Sequence, residues 1–145
     1  MHVTRGMLVT VMYRAEGEPE VEMNNGFIDV EDNAYYAKAI SWAKSNNIVN
    51  GYDSETFGPN DSVTREQIAA IIARYSKLQG LSSEDQIETT FADSNAISDW
   101  AVDSVRYCRQ IGLILGDDNN QFNPQNSTTR AETAAILFRY MQMIK

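Results

Sequence analysis

Side chains that bind metals or act as nucleophiles are scarce in this sequence, and their scarcity excludes several kinds of site. The 145 residues include one cysteine, Cys108, and one histidine, His2. A single cysteine excludes an intrachain disulfide and any zinc site built on several thiolates. His2 stands at the extreme terminus, and Cys108 falls on the apolar side of a predicted helix without a histidine to activate it. We therefore predict no catalytic residue, no bound metal and no cofactor.

Positive charge and long apolar stretches are lacking as well. Lys and Arg number 12 against 20 Asp and Glu, which gives a formal net charge of -8. This acidic balance opposes the phosphate contacts on which nucleic-acid binding depends, so we expect no nucleic-acid partner. No run approaches the roughly 18 apolar residues of a membrane span, and the first residues do not have the pattern of a signal peptide. We expect no membrane insertion, and any export signal would lie outside this sequence.

What the chain does contain is an internal repeat. Shifted by 65 positions, residues 51–75 align with residues 116–140 without a gap, and 12 of these 25 positions are identical. A period of this length is typical of a repeat architecture. The pairs that carry the pattern are Gly51/Gly116, Phe57/Phe122, Pro59/Pro124, Thr64/Thr129 and Arg65/Arg130.

A third copy is present only as its second half. Thr4-Arg5 is followed by Arg14 at the same spacing that joins Arg65 to Arg74. Because the opening half of this copy is missing, we expect the sequence to be a fragment of a larger protein. The predicted organisation is one domain with three parts: residues 1–26 as the tail of a first repeat with its linker, 27–90 as a second repeat with its linker, and 91–145 as a third repeat.

Each full copy has the pattern of a helix, a loop and a second helix. The first helix is predicted at about residues 34–46 and again at 99–111, where apolar residues recur at three-and-four spacing. Asn33 and Ser98 are the candidate N-caps of these helices. The loops that follow are polar and begin at Gly51 and Gly116, where a glycine allows the chain to turn with positive φ.

The second helix of each copy starts at a Thr-Arg pair. Thr64 with Gln67, and Thr129 with Glu132, fit the capping box. These helices and the one near Thr4 each carry one apolar stripe, and three equivalent stripes can be buried only against one another. We therefore predict an all-α fold in which helix-loop-helix repeats form a pseudo-threefold helical bundle.

The helix of the tail repeat, near residues 4–15, has lost the opening helix of its own repeat. We expect its stripe of Leu8, Val11 and Met12 to be only partly covered. Exposed apolar surface of this kind marks interaction sites, so the sequence predicts self-association of the fragment.

The order Phe-x-Asp, aromatic, Gly, Phe-x-Pro and Thr-Arg-x-Glu resembles the surface-layer homology (SLH) repeat. The resemblance covers nearly the whole chain, and the third copy matches most closely, with Phe91-Ala92-Asp93, Trp100, Gly116, Phe122-Asn123-Pro124 and Thr129-Arg130-Ala131-Glu132. The second copy has Tyr35 where the family usually has tryptophan, and Thr64-Arg65-Glu66-Gln67 where it prefers Thr-Arg-Ala-Glu. The resemblance implies a three-pronged domain that anchors exported bacterial proteins non-covalently to secondary cell-wall polysaccharide, often through pyruvylated sugars. It places the protein outside the cell, at the cell wall or S-layer.

The resemblance also implies ligand grooves between neighbouring prongs. A pyruvylated sugar carries a carboxylate, which suits the planar fork of an arginine at the anion-favouring start of a helix. An aromatic side chain can lie against the apolar face of the sugar ring, although for Trp100 a core position is an equal alternative. The candidate ligand-binding residues are Arg5, Arg65, Arg130, Trp100, Tyr35, Asp29, Asp93, Glu132, Gly51 and Gly116. The alternative function is a helical protein-interaction or self-assembly module of a surface protein, which predicts an exposed apolar patch instead.

Overall fold

Helices dominate the computed structural model, which describes residues 2–82 and 90–144. Within those residues the α-helices are α1 (Arg5–Ala15), α2 (Ala37–Ser45), α3 (Arg65–Leu78), α4 (Val102–Gln110) and α5 (Arg130–Met143), and short 3-10 helices at Ser94–Ala96 and Asp99–Ala101 precede α4. The same residues contain no strand, and their extended pairings are the isolated bridges of Thr4 with Ser62 and of Thr64 with Ser127. The predicted all-α class is confirmed. The linker predicted before residue 91 falls mainly on residues 83–89, outside the described part.

The helices belong to two compact units, His2–Val63 and Thr64–Lys145. In the first unit α1 packs against α2, and the ring of Tyr13 lies 5.6 Å from that of Trp42. In the second unit α3 packs against α4, and the Cys108 thiol donates to the Ala69 carbonyl at 3.5 Å. Each unit therefore pairs the second helix of one repeat with the first helix of the repeat that follows.

The tail helix α1 packs against α2 from the following repeat. Of its predicted stripe, Leu8 and Met12 are buried and Val11 is 44% exposed, so the stripe is partly covered, as expected. α5 has two exposed large apolar residues, Phe138 at 64% and Met141 at 48%.

The Thr-Arg pairs start the second helices as predicted. Thr4, Thr64 and Thr129 are N-caps, and the hydroxyl oxygen of each accepts from the backbone N–H three residues later. The capping box at Thr64 is complete, because Gln67 Oε1 accepts from the Thr64 N–H at 3.0 Å. The box predicted at Thr129 is only half formed, because the Thr129 hydroxyl accepts from the Glu132 N–H at 3.1 Å while the Glu132 carboxylate binds elsewhere. One Glu132 carboxylate oxygen accepts from the Thr129 hydroxyl at 3.0 Å, and the other pairs with Arg65.

The first helices begin about three residues later than the sequence predicts. α2 starts at Ala37 and α4 at Val102, so neither Asn33 nor Ser98 caps an α-helix. Ser98 instead donates through its backbone N–H and its hydroxyl to the carboxylate of Glu66 on α3, at 3.0 and 2.7 Å. A side chain of the preceding repeat thus satisfies the groups that were expected to cap the helix.

The two loop glycines have different roles. Gly51 has a φ of +81°, as predicted, and a Cβ there would lie 2.6 Å from the Phe27 ring. The prediction for Gly116 is wrong, because in that loop the positive φ values belong to Asn120 and Asn123, both at +58°. A Cβ on Gly116 would meet the Phe91 ring at 3.0 Å, so this glycine makes room for an aromatic ring.

Paired aromatic rings form the centre of each unit. Phe27 and Phe57 lie 5.6 Å apart in the first unit, and Phe91 and Phe122 lie 5.2 Å apart in the second. The motif phenylalanines therefore pack against one another within each unit. None of the helices in the described residues has the length and apolar character needed to span a membrane.

Candidate functional site

The first candidate site lies where α1 begins. Arg5 is buried, with 6% of its surface exposed, and its Nε donates to the Phe57 carbonyl at 2.9 Å. The guanidinium carbon lies 4.5 Å from the ring centre of Tyr52 and 4.6 Å from that of Phe57. Cations in this position are attracted to the faces of aromatic rings. The arginine thereby joins the start of α1 to the Phe-x-Pro loop of the following repeat.

An equivalent site lies where α3 begins. The Arg65 Nε donates to the Phe122 carbonyl at 2.5 Å, and its guanidinium also forms an ion pair with Glu132 on α5. The side chain of Arg65 is 15% exposed and that of Glu132 is 38% exposed. Because a carboxylate already occupies one edge of the guanidinium, this site has less uncompensated positive charge than the arginine alone suggests.

Two aspartates hold the Phe-x-Pro loops in place. Asp29 accepts from the N–H groups of Phe57 and Gly58 at 2.9 and 2.8 Å, and Asp93 accepts from those of Phe122 and Asn123 at 2.8 Å each. These bonds fix the backbone whose carbonyl the arginine binds. Asp29 and Asp93 thus position the loop in the two units in the same way.

The exposed aromatics lie near the starts of the arginine-bearing helices. Tyr35 is 61% exposed and packs edge-on against Tyr36 at 4.9 Å, and the Tyr36 ring lies 3.0 Å from where a Cβ on Gly6 would be. Trp100 is 58% exposed and stands two residues after Ser98, which bonds to Glu66 on α3. The structure therefore rejects the core alternative for Trp100.

The two sites differ at the residue that follows the motif glycine. Tyr52 lies over Arg5 and donates its hydroxyl to Asp61 at 2.8 Å, whereas its equivalent in the other loop is Asp117. The backbone N–H of Gln121 holds the pKa of Asp117 below its ordinary value, and the charge of Arg65 acts in the same direction. The Arg5 guanidinium therefore lies over two aromatic rings, whereas that of Arg65 has one ring, Phe122, at 5.4 Å and the Glu132 carboxylate beside it.

Arg130, at the start of α5, does not occupy such a site. It is exposed, and within residues 2–82 and 90–144 no carbonyl or carboxylate pairs with its side chain. The structure thus brings Arg5 together with Asp29 and Gly51 in one unit, and Arg65 with Asp93, Glu132 and Gly116 in the other. Metal ligands are not gathered anywhere in the described residues.

The residues that sequence reasoning missed are Tyr52 and Asp117 beside the arginines. Both follow the motif glycine, and an aromatic at that position was a usable signal for Tyr52. No sequence signal indicates that the arginines bind the carbonyls of Phe57 and Phe122, because carbonyl groups occur at every position.

Comparison with known families shows which family the chain belongs to. The S-layer homology domain matches residues 26–69 and 90–134, one segment in each of the two full repeats and together more than half of the chain. The chain belongs to the S-layer homology family. Arg65 and Arg130 lie within the matched segments. Arg5 lies outside them, yet its contacts repeat those that Arg65 makes in the second unit.

Relatives of this SLH chain include several larger proteins. It is 36% identical over 141 residues to an amylopullulanase of Thermoanaerobacterium thermosulfurigenes and to exoglucanase XynX of Acetivibrio thermocellus, covering 97% of this chain but 8% and 13% of those proteins. It is 29% identical over 117 residues to a cellulosome-anchoring protein of Acetivibrio thermocellus, covering 80% of this chain and 26% of that protein. The similarity to the two enzymes is thus confined to a small part of their length.

Proposed function

We propose that this SLH chain is a non-covalent anchor that binds secondary cell-wall polysaccharide on the bacterial surface. The observation that carries the proposal is the SLH match over two repeats, each of which presents an exposed aromatic and an arginine at the start of a neighbouring helix. A relative named as a cellulosome-anchoring protein and another named as a surface-layer protein support it. The family and these relatives place the domain at the cell wall.

The ligand that we propose is a sugar carrying a carboxylate, such as a pyruvylated residue of the polymer. A guanidinium can pair with a carboxylate in two parallel hydrogen bonds, and helix N-termini favour anions through their free N–H groups. Tyr35 and Trp100 have exposed rings on which a sugar can stack. The proposed ligand-binding residues are those predicted from the sequence: Arg5, Arg65, Arg130, Trp100, Tyr35, Asp29, Asp93, Glu132, Gly51 and Gly116.

These residues have different roles in the proposed site. Arg5 and Arg65 already bind loop carbonyls, so they offer the ligand only the remaining edges of their guanidinium groups. Asp29 and Asp93 act by holding the loops, and the two glycines by leaving space for phenylalanine rings. The exposed aromatics are therefore the members whose removal tests binding with the least damage to the fold.

A co-sedimentation experiment with purified cell-wall material tests the proposal. We expect Trp100→Ala to weaken binding by roughly tenfold, because loss of one stacking or anchoring aromatic typically costs more than 1 kcal/mol. Leu78→Ala is the matched control, since Leu78 is 57% exposed and Trp100 58%. Chemical removal of pyruvate from the wall material should weaken the binding of the unmodified chain.

The outcomes separate the function from the ligand. Binding that is unchanged by Trp100→Ala and by Tyr35→Ala would contradict the site. Binding that survives removal of pyruvate would contradict the proposed sugar but keep the anchoring function. Absence of binding to any wall material would contradict both.

A second candidate function is a helical interaction or self-assembly module. The exposed apolar side of α5, with Phe138 and Met141, supports it. We propose that the chain self-associates through this side when nothing else covers it. An interaction module of this kind would show no affinity for protein-free wall material in the same experiment.

We also propose that this domain binds and does not catalyse. Support comes from the way the chain matches the enzymes among its relatives, over 8% and 13% of their length. The catalytic parts of such proteins would then lie outside the segment that resembles this chain.

A further inference from the structure

Two Asn-Gly pairs lie in the first compact unit, at Asn25-Gly26 and Asn50-Gly51. Asparagine is among the residues that heat and time modify chemically. The backbone nitrogen of the next residue attacks the side-chain amide carbon, and a glycine leaves that nitrogen unobstructed because it has no Cβ. The two pairs therefore have the same intrinsic reactivity, and the fold decides which of them reacts.

Both ends of the Asn25 amide are held by hydrogen bonds. Asn25 is 6% exposed, its side-chain N–H donates to the Ser41 hydroxyl at 3.1 Å, and its side-chain oxygen accepts from the Phe27 N–H at 2.8 Å. Its backbone carbonyl accepts from Lys44. The amide carbon can meet the Gly26 nitrogen only after the side chain has left these partners, which requires local opening of the unit.

Asn50 lies instead at the surface of the loop that joins α2 to α3, and its side chain is exposed. Among the described residues, no hydrogen bond holds its amide or the backbone N–H of Gly51. The aligned pair in the third repeat is Leu115-Gly116, which has no side-chain amide. The same reaction is therefore accessible in the second repeat and chemically impossible in the third.

We propose that Asn50 is a modification site at which the folded chain deamidates spontaneously. The Gly51 nitrogen bonds to the Asn50 amide carbon, the amide C–N bond breaks, and the proton of the attacking nitrogen passes to the departing one. Ammonia leaves and a cyclic imide remains. Water, the only co-reactant, then opens the imide on one side or the other and yields aspartate or isoaspartate.

Isoaspartate at this position disturbs the loop that follows. It adds a methylene to the backbone just before Gly51, where a Cβ would already lie 2.6 Å from the Phe27 ring and 2.7 Å from the Thr56 carbonyl oxygen. The same loop carries the Phe57 carbonyl that accepts from Arg5. The modification therefore loosens the joint between α1 and the following repeat, whereas an ordinary aspartate at the same exposed position does not.

Ageing of the full chain in heavy-oxygen water at mildly alkaline pH, followed by digestion in ordinary water and peptide mass spectrometry, tests the assignment. A residue that converts during ageing carries the heavy oxygen, which distinguishes it from one that converts during digestion. We expect Asn50 to convert at least about tenfold faster than Asn25, because Asn25 reacts only after local opening. Asn50→Leu, which copies Leu115, should remove the conversion in this loop.

The same ageing in urea provides the control for intrinsic reactivity. In the unfolded chain the rates at Asn25 and Asn50 should agree within about twofold, since local opening no longer limits either of them. Equal rates in the folded chain would overturn the proposal, and so would conversion of Asn50 in urea alone.

The effect on the joint is measured separately. The aged isoaspartyl form, purified by chromatography, should unfold at a lower urea concentration than Asn50→Asp, which carries the same charge without the extra methylene. Identical urea midpoints for the two proteins would contradict the inferred loosening of the Arg5 joint.

Discussion

At the scale of single residues, the arginines of the SLH motif have a structural role that the sequence pattern does not reveal. Arg5 and Arg65 each bind the carbonyl of a motif phenylalanine, and Arg65 also pairs with Glu132. The loop that links consecutive repeats donates its backbone N–H groups to an aspartate and accepts from the arginine through the phenylalanine carbonyl. The motif Phe-x-Asp, Phe-x-Pro and Thr-Arg is therefore explained in part by how repeats join, independently of any ligand.

The buried thiol leads to a prediction for the dependence of stability on pH. Burial raises the pKa of Cys108 to about 12, so the folded protein keeps this proton to higher pH than the unfolded chain. Between about pH 9 and 12 the unfolded state binds fewer protons, and the free energy of unfolding falls as pH rises, by at most about 1.4 kcal/mol per pH unit. Below pH 9 the contribution is fully present.

Urea denaturation at pH 8, 9 and 10.5 measures this effect, with Cys108→Ala as the comparison. We expect the unmodified chain to lose stability more steeply than Cys108→Ala above pH 9. Parallel pH profiles for the two proteins would show that the thiol does not ionise differently in the folded and unfolded states.

At the scale of helices, the sequence predicts where some helices begin better than where others begin. α1, α3 and α5 begin where the Thr-Arg pairs predict, because a threonine cap is a local interaction that the sequence displays. The starts of α2 and α4 lie about three residues after the predicted ones. Before α4, residues 99–101 form a 3-10 turn, and Ser98 is bound by Glu66, a residue far away in sequence. Local patterns do not report such partners.

The sequence also did not predict which helix packs against which. An apolar stripe shows which side of a helix is buried, but it does not identify the helix that covers it. The stripe of α1 was expected to be only partly covered, and no pattern in the sequence indicated that α5 would have Phe138 exposed. That the three Thr-Arg helices share one centre with threefold symmetry stays a prediction.

The aligned positions Ala73 and Phe138 give a matched test of the pairing. Ala73 on α3 is 1% exposed, so Ala73→Phe should overpack its surroundings and lower the free energy of unfolding by about 1–3 kcal/mol. Phe138→Ala at the equivalent place on α5 should change it by less than about 0.5 kcal/mol, because the ring is exposed. Equal losses for the two variants, measured by urea denaturation, would contradict the exposure of this side of α5.

At the scale of the whole molecule, the net charge of the chain and the charge of the proposed ligand are both negative. The chain carries -8, and a pyruvylated polymer is also anionic, so attraction must come from individual arginines and not from the overall field. Long-range repulsion between exposed charges is screened as ionic strength rises towards about 0.15 M, where the Debye length is about 8 Å.

We therefore expect added salt to speed the association of this chain with wall polysaccharide. The association rate constant, measured by surface plasmon resonance on immobilised polymer, should rise between about 10 and 150 mM salt. Trp100→Ala serves as a control, because removal of a neutral ring should leave the salt dependence of that rate constant unchanged. A steep fall in the rate constant with salt would mean that a local positive surface steers the polymer.

The placement of the two tryptophans makes the chain its own optical reporter. Trp42 is 7% exposed beside Tyr13 in one compact unit, whereas Trp100 is 58% exposed in the other. Trp42 should emit at shorter wavelength and resist acrylamide, while Trp100 should emit near the wavelength of free indole and be quenched readily. A sugar stacked on Trp100 would shield only the red-edge emission, and melting of the α1–α2 contact would shift only the blue-edge emission. Ligand binding and the loosening of a core can thus be recorded separately in one cuvette, without a label.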